Sequence, residues 1–239
     1  MKDLSNNKII DDIVLKYKQD EKVLGIMLFG SFARNKSDKY SDIDIYILLS
    51  EKGKYSRINF VENDIRIDII LDTIDEAKKY LVRDEYSVRR NTSHMLAHGR
   101  ILYERDTELK KIQKIAKENL SLETRYSKNE LLMHKYSIDD FWGEVERDIE
   151  SNDLIAFGLD SQLLLNNIIE LFLKLKGEFF RQPNEMSEIL DKLDGDLKKE
   201  INNFYATFDI REKEKSLQRL VEYSYKKLGG PLPKKWEIS

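Results

Sequence analysis

Between residues 23 and 49 the chain twice runs apolar enough to be buried on both faces of a sheet, and the second run opens on a pair of acids. The stretch VLGIMLF, residues 23–29, carries no charge and stops at Gly30-Ser31; SDIDIYILL, residues 41–49, begins with Asp42 and Asp44 set one isoleucine apart. A short apolar run bounded by turn-forming residues is the pattern of a strand covered on both sides. Residues two apart in a strand share a face, so Asp42 and Asp44 project together while Ile43, Ile45 and Ile47 enter the core. Two carboxylates held side by side repel each other and raise one pKa unless a cation or a basic group neutralises them. The arrangement is costly without such a partner.

The surrounding pattern makes the first third α/β. Ile9, Ile10, Ile13, Val14 and Tyr17 recur at helical spacing, which predicts an opening helix over 7–18. A hairpin is expected from 57–61 and 65–71 around Asn63-Asp64. In IRIDIIL, Ile65, Ile67, Ile69 and Leu71 take one face, and Asp64, Arg66, Asp68 and Ile70 the other. Helices are predicted over 74–82, 88–97 and 106–119, with a short strand at 101–103. The polar segment SLETRYSKN, residues 121–129, is the expected domain boundary. Beyond it the pattern is helical throughout: 131–150, 154–176, 185–204 with a break near Gly195, and 212–228, stopped by Gly229-Gly230-Pro231. The expected fold is α+β, with a small mixed sheet flanked by helices in residues 1–120 and an all-α bundle in 121–239.

Charge and composition narrow the function. The 41 basic and 44 acidic side chains among 239 residues nearly cancel, leaving a formal charge of −3 and no general attraction to nucleic acid or anionic membrane. Cysteine is absent, which excludes disulfide and thiolate chemistry and suits a reducing compartment. The first twenty residues lack a continuous apolar region. The most apolar later segment, LIAFGLDSQLLLNNIIELFL, is interrupted by Asp160, Gln162, Asn166, Asn167 and Glu170. A soluble cytoplasmic protein with no nucleic-acid or membrane partner is the expectation.

Magnesium answers the acidic pair economically: it is a hard cation held by one or two carboxylates and completed by water and phosphate oxygens. If the strand bearing Asp68 lies beside the one bearing Asp42 and Asp44, three carboxylates converge and could hold two metals, suited to in-line displacement at phosphorus. Asp68 is favoured over Asp64, in the predicted turn, and Asp72, past the predicted strand end. Glycine at position 30 permits a sharp turn and close approach, Ser31 offers a backbone N–H and a hydroxyl to phosphate oxygens, and Arg34 adds charge.

A lone Gly-Ser is usually a turn and a lone Asp-x-Asp a solvated edge. Their order here, apolar strand, Gly30-Ser31, Asp42-Ile43-Asp44 on a second apolar strand, then Asp68 inside a third, resembles the nucleotidyltransferase superfamily related to DNA polymerase β. The resemblance implies that Gly30 and Ser31 bind a nucleoside triphosphate, with ATP as donor, and that Asp42, Asp44 and Asp68 bind two magnesium ions. The family often has glycine where this chain has Asn35, which tolerates a left-handed backbone better than most residues. The two-domain layout is similar to that of aminoglycoside and other antibiotic nucleotidyltransferases, which implies a small-molecule acceptor for the helical domain. A protein acceptor, as in antitoxins that adenylylate a partner, and a non-catalytic nucleotide sensor are the alternatives; the chain's own helical domain argues against the first, and the clustered carboxylates against the second.

The helical half leaves its alternatives open. DDFWGEVERDIE, residues 139–150, holds six acids against Arg147 and is either a surface for a polycationic acceptor or a solvated helix face. Asn166, Glu170 and Lys174 form a stripe at i, i+4 and i+8; they either line a pocket, with Glu170 as general base, or pair on the outer face. Trp142 either walls a cleft or packs in the core. His94 and His98 have metal-compatible spacing but no acidic or cysteine companion, and His134 stands alone. No arginine of the helical half is followed by histidine at four to six residues, which argues against the ribonuclease activity of some helical domains partnered with nucleotidyltransferases.

Overall fold

The computed structural model describes residues 2–238. The chain divides into two compact units, Met1–Leu122 and Glu123–Ser239.

The first unit is built on a five-stranded mixed sheet. Helix α1 (Lys2–Tyr17) leads into β1 (Val23–Phe29), a single turn α2 (Gly30–Ala33), and β2 (Ile43–Leu49), antiparallel to β1. Strands β3 (Arg57–Glu62) and β4 (Ile65–Thr73) form the hairpin. Asn63 and Asp64 take φ of 50° and 63°, the left-handed pair of a two-residue hairpin turn. Helices α3 (Ile74–Asp84) and α4 (Asn91–Ala97), strand β5 (Arg100–Glu104) and helix α5 (Glu108–Ser121) complete the unit, and the strand order is β3-β4-β2-β1-β5. Strand β4 runs parallel to β2, which places the strand bearing Asp68 beside the one bearing Asp44.

Both faces of the sheet are covered, as the unbroken apolar runs require. Ile9, Ile10 and Ile13 of α1 pack with Ile43, Ile45, Ile47, Ile67 and Ile69 on one face. Met27, Tyr46 and Leu48 meet Ala77 and Leu81 of α3, Leu96 of α4, and Leu109 and Ile112 of α5 on the other. Gly25 leaves room for Leu109, whose Cδ2 would lie 2.6 Å from a Cβ at that position. Two differences from the sequence reading bear on the acidic residues. Pairing of β2 starts at Ile43, so Asp42 precedes the strand, and β4 continues through Asp72, which is buried beside Tyr46 instead of lying past the strand end.

The second unit consists of α6 (Lys128–Ser151), α7 (Leu154–Leu175), α8 (Pro183–Leu193), α9 (Gly195–Ala206) and α10 (Ile210–Lys227). Reciprocal bonds between Ser127 and Glu130 cap α6, and Asp153, Asp194 and Asp209 cap the starts of α7, α9 and α10. By length and composition alone α7 is apolar enough to cross a membrane. Its buried residues Phe157, Ser161, Leu164, Leu165, Ile168, Leu171 and Phe172 recur at the three- and four-residue spacing of a core helix.

Candidate active site

One row of paired residues crosses the sheet where β2 begins. Asn59 of β3 pairs with Asp68 of β4, Asp68 with Asp44 of β2, and Asp44 with Phe29 of β1, the residue before Gly30. Paired residues on adjacent strands present their side chains to the same face. Asp42 stands just ahead of this row, its carboxylate 3.8 Å from the guanidinium of Arg66.

Gly30 is fixed at the row's end on two grounds. Its φ of +70° belongs to the left-handed region, and a Cβ there would lie 2.1 Å from Asp44 Oδ2. The short turn that follows is closed by Arg34 Nε, which donates to Gly30 O at 3.3 Å, and by Lys36 N, which donates to Ser31 O at 3.0 Å. Asn35 adopts φ of 54°, the left-handed conformation anticipated for it in place of glycine.

The electrostatics centre on Asp44. Burial pushes its carboxyl up to about 6, the negative charges of Asp68 and Asp42 add to that rise, and Arg57 opposes it. Asp68 is buried and bidentate with Arg57, which donates from Nε to Oδ1 at 2.8 Å and from Nη2 to Oδ2 at 2.5 Å. Among the described residues no three His, Cys, Asp or Glu side chains are gathered as a ready metal cage. The donor set nonetheless fits a hard cation by type: two carboxylates in register, a third one position before the strand, and a charge imbalance at Asp44 that a divalent ion would relieve. Beside Asp42, a cleft of about 500 Å³ is lined by Phe32, Tyr40, Ser41, Asp64 and Arg66 among others.

The residues singled out in the helical unit are arranged differently. Glu170 is ion-paired with Lys174 at 3.2 Å, and Lys174 also reaches Glu130 at 3.4 Å and His134 Nε2 at 3.1 Å. His134 is buried, with Nδ1 2.7 Å from Asn167 Oδ1. Asn166 lies outside this network and accepts from Gln162 at the surface. A cavity of about 350 Å³ opens beside His134, Asn167 and Lys174. Of the acids on α6, Asp139 accepts from Tyr225, Glu144 pairs with Arg147 and Asp148 is buried, while Asp140, Glu146 and Glu150 are exposed. In the first unit the His94 and His98 rings stack with centroids 4.6 Å apart.

Sequence reasoning missed Arg57 and the setting of His134. The hairpin register held the first: once Asn63-Asp64 is the turn, Asn59 falls opposite Asp68, and Arg57 falls diagonally across from it on the same face. The second depended on Asn167 and Lys174 meeting α6 from α7, for which the sequence carries no local signal.

Residues 11–108 match the family model described as Polymerase beta, Nucleotidyltransferase. No curated protein matches the sequence. Among solved structures, a nucleotidyltransferase-like protein from Exiguobacterium sibiricum 255-15 superposes with a TM-score of 0.53 at 13% identity, over 92% of this chain and 75% of that one. The family match together with the fold places the first unit in the nucleotidyltransferase superfamily, whose general chemistry is nucleotidyl transfer.

Proposed function

We propose that this chain is a magnesium-dependent nucleotidyltransferase that moves a nucleoside monophosphate, AMP from ATP first among them, onto a hydroxyl of a small molecule. The observation that carries the reading is the row in which Asp44 and Asp68 stand in register, with Gly30 pressed against Asp44. Like charges clustered on two neighbouring interior strands are costly, and a cation-bound triphosphate supplies the compensation.

In the reaction the acceptor oxygen bonds to the α-phosphorus while the bond from that phosphorus to the bridging oxygen breaks. Pyrophosphate leaves, and the hydroxyl proton passes to a base. Asp42, Asp44 and Asp68 would hold the magnesium ions, which when bound neutralise phosphate charge and activate the hydroxyl. Gly30, lacking a side chain, lets the phosphate tail approach the backbone; Ser31 offers its N–H and hydroxyl, and Arg34 its charge. Asp68, next to the reacting oxygen in this reading, is placed to assist deprotonation. An ATP donor puts the reaction in the cytoplasm.

We assign the acceptor to the antibiotic class, with aminoglycosides in front. The support is the exposed acids Asp140, Glu146 and Glu150 on α6, suited to a polycation. Glu170, anticipated as a base, is held by Lys174 and would have to leave that pair to accept a proton.

The test is pyrophosphate release with ATP, magnesium and a panel of aminoglycosides and lincosamides, with mass detection of the added nucleotide. Turnover on one acceptor that disappears in Asp42→Ala plus Asp44→Ala supports the reading; turnover that persists in the double variant sinks the metal assignment.

A further inference from the structure

We infer that Arg57 is the built-in counter-ion of the carboxylate row: it holds Asp68 when no divalent ion is bound, and the ion must displace it before Asp68 can become a ligand. The inference rests on the nucleotidyltransferase reading of the same site. It sets the metal affinity of that site and makes metal and nucleotide binding cooperative.

The geometry of the pair comes first. One guanidinium takes both oxygens of Asp68, through Nε at 2.8 Å and Nη2 at 2.5 Å, which is the fork-to-carboxylate match that a lysine cannot reproduce. The ends differ in burial: the Asp68 side chain is 10% exposed and the Arg57 side chain 63%. The carboxylate is therefore fixed to the sheet, and the arginine is the member free to move. Arg57 lies at the start of the edge strand β3, opposite Ile70, and reaches Asp68 diagonally, so its side chain can leave for solvent without breaking the β3–β4 ladder. Its charge also acts on Asp44, so both registered carboxylates are served by one cation.

A second arginine on the hairpin provides a contrast. Arg66 approaches Asp42 at only 3.8 Å, and the two side chains are 67% and 40% exposed. A long contact between exposed groups is screened and contributes little. Arg57 is thus the one of these two arginines whose departure a bound cation would require.

The cooperative consequence follows from chemistry. A displaced guanidinium is still tethered next to the row, and a phosphate oxygen pair offers it the bidentate partner that Asp68 no longer does. Nucleotide binding would then keep Arg57 away from Asp68, and metal would bind more tightly to the nucleotide complex than to the free protein. By linkage, metal tightens nucleotide binding by the same factor.

Binding of Mn²⁺ to the full chain, followed by the electron paramagnetic resonance signal of the free ion and by calorimetry, tests this with and without a nonhydrolysable ATP analogue. In Arg57→Gln, Mn²⁺ affinity without nucleotide is expected to rise about tenfold, about 1.4 kcal/mol, and the cooperativity with nucleotide to shrink correspondingly. Arg57→Lys, which keeps the charge and loses the fork, is expected to fall between the two and serves if the glutamine variant folds poorly. Unchanged or weakened Mn²⁺ affinity in a variant with wild-type circular dichroism and melting overturns the inference. Wild-type protein that takes up no Mn²⁺ in either condition overturns the nucleotidyltransferase reading itself, and the inference with it.

Discussion

Asp44 Oδ2 fills the space that a side chain at Gly30 would occupy, 2.1 Å from an ideal Cβ. The contact joins the two halves of the candidate site, the turn after β1 and the acid on β2. In Gly30→Ala the new methyl group displaces the Asp44 carboxylate, and Asp44 Cγ, 3.0 Å from the added Cβ, must shift with it. The residual cost is the left-handed φ of +70°, about 1–2 kcal/mol for a residue with a Cβ. Displacing the carboxylate is expected to lower nucleotide transfer about 100-fold, the scale of a 1 Å misplacement. Chemical denaturation and turnover of Gly30→Ala, Asp44→Ala and the double variant check both effects. Gly30→Ala should cost less stability in the Asp44→Ala background than in wild type, because removing the carboxylate removes the clash.

Asp44 also makes metal-free stability depend on pH. Its carboxyl is raised from 3.8 to about 6 in the folded protein, so between those values the folded state binds more protons than the unfolded state. The stabilisation is complete below about 3.8, is lost as pH rises through 6, and changes little above that. Asp44→Asn removes this dependence. In the presence of a chelator the variant is expected to exceed wild type in stability above pH 6, with the gap closing toward pH 4. Two pKa units set a ceiling near 3 kcal/mol, and screening at a partly exposed group reduces it to about 1–2 kcal/mol. Adding magnesium should raise the melting temperature of wild type and not that of the variant. Melting curves that run parallel at all pH values would count against the electrostatic reading.

The sheet was legible because burial on both faces leaves an unambiguous mark: residues 23–29 and the hairpin around Asn63-Asp64 read directly from apolar runs and turn chemistry. The strand ends were less so, since polarity is a poor guide to where pairing stops. Asp42 looked like part of the alternation, yet Ile43 is the first residue with a partner on β4. Asp72 looked like a terminator, yet it is buried inside β4, where burial and the charge of Glu76 push its carboxyl up to about 6. Arg57 followed from the register of an element already recognised. His134 did not, because its partners approach from another helix.

Arg90 is expected to be the most sensitive polar position of the first unit. Its side chain is 1% exposed and donates to the backbone carbonyls of Ser87 at 2.7 Å, Asn119 at 2.5 Å and Leu122 at 2.7 Å. One guanidinium thus ties the start of α4 to the end of α5, where Asn119 in turn donates to Leu81 O and Ser93 Oγ. Lysine supplies the charge from a single nitrogen and leaves carbonyls unpaired in the interior. Arg90→Lys is expected to cost about 2–4 kcal/mol in urea denaturation. A loss under 0.5 kcal/mol would mean that the carbonyls find other donors.

In the helical unit, Lys174 is expected to control the ionisation of His134. Burial is the largest influence lowering the His134 pKa from 6.5, and the Lys174 charge lowers it further, while Asn167, Glu170 and Glu130 oppose the shift. The imidazole therefore stays neutral in the fold, with Nδ1–H donating to Asn167 Oδ1 and Nε2 accepting from Lys174. A depressed histidine pKa contributes stability that is present above 6.5 and lost as pH falls through the folded value. Lys174→Met removes the repelling charge and leaves Glu170 and Glu130 to favour the imidazolium. Long-range nitrogen–proton NMR of His134 should show its titration moving to higher pH, and the acid sensitivity of the helical unit should diminish. The same change deprives two carboxylates of their partner, so an overall cost of about 1–3 kcal/mol at neutral pH is expected alongside it. A variant in which His134 titrates as in wild type would place the cause of its low pKa in burial alone.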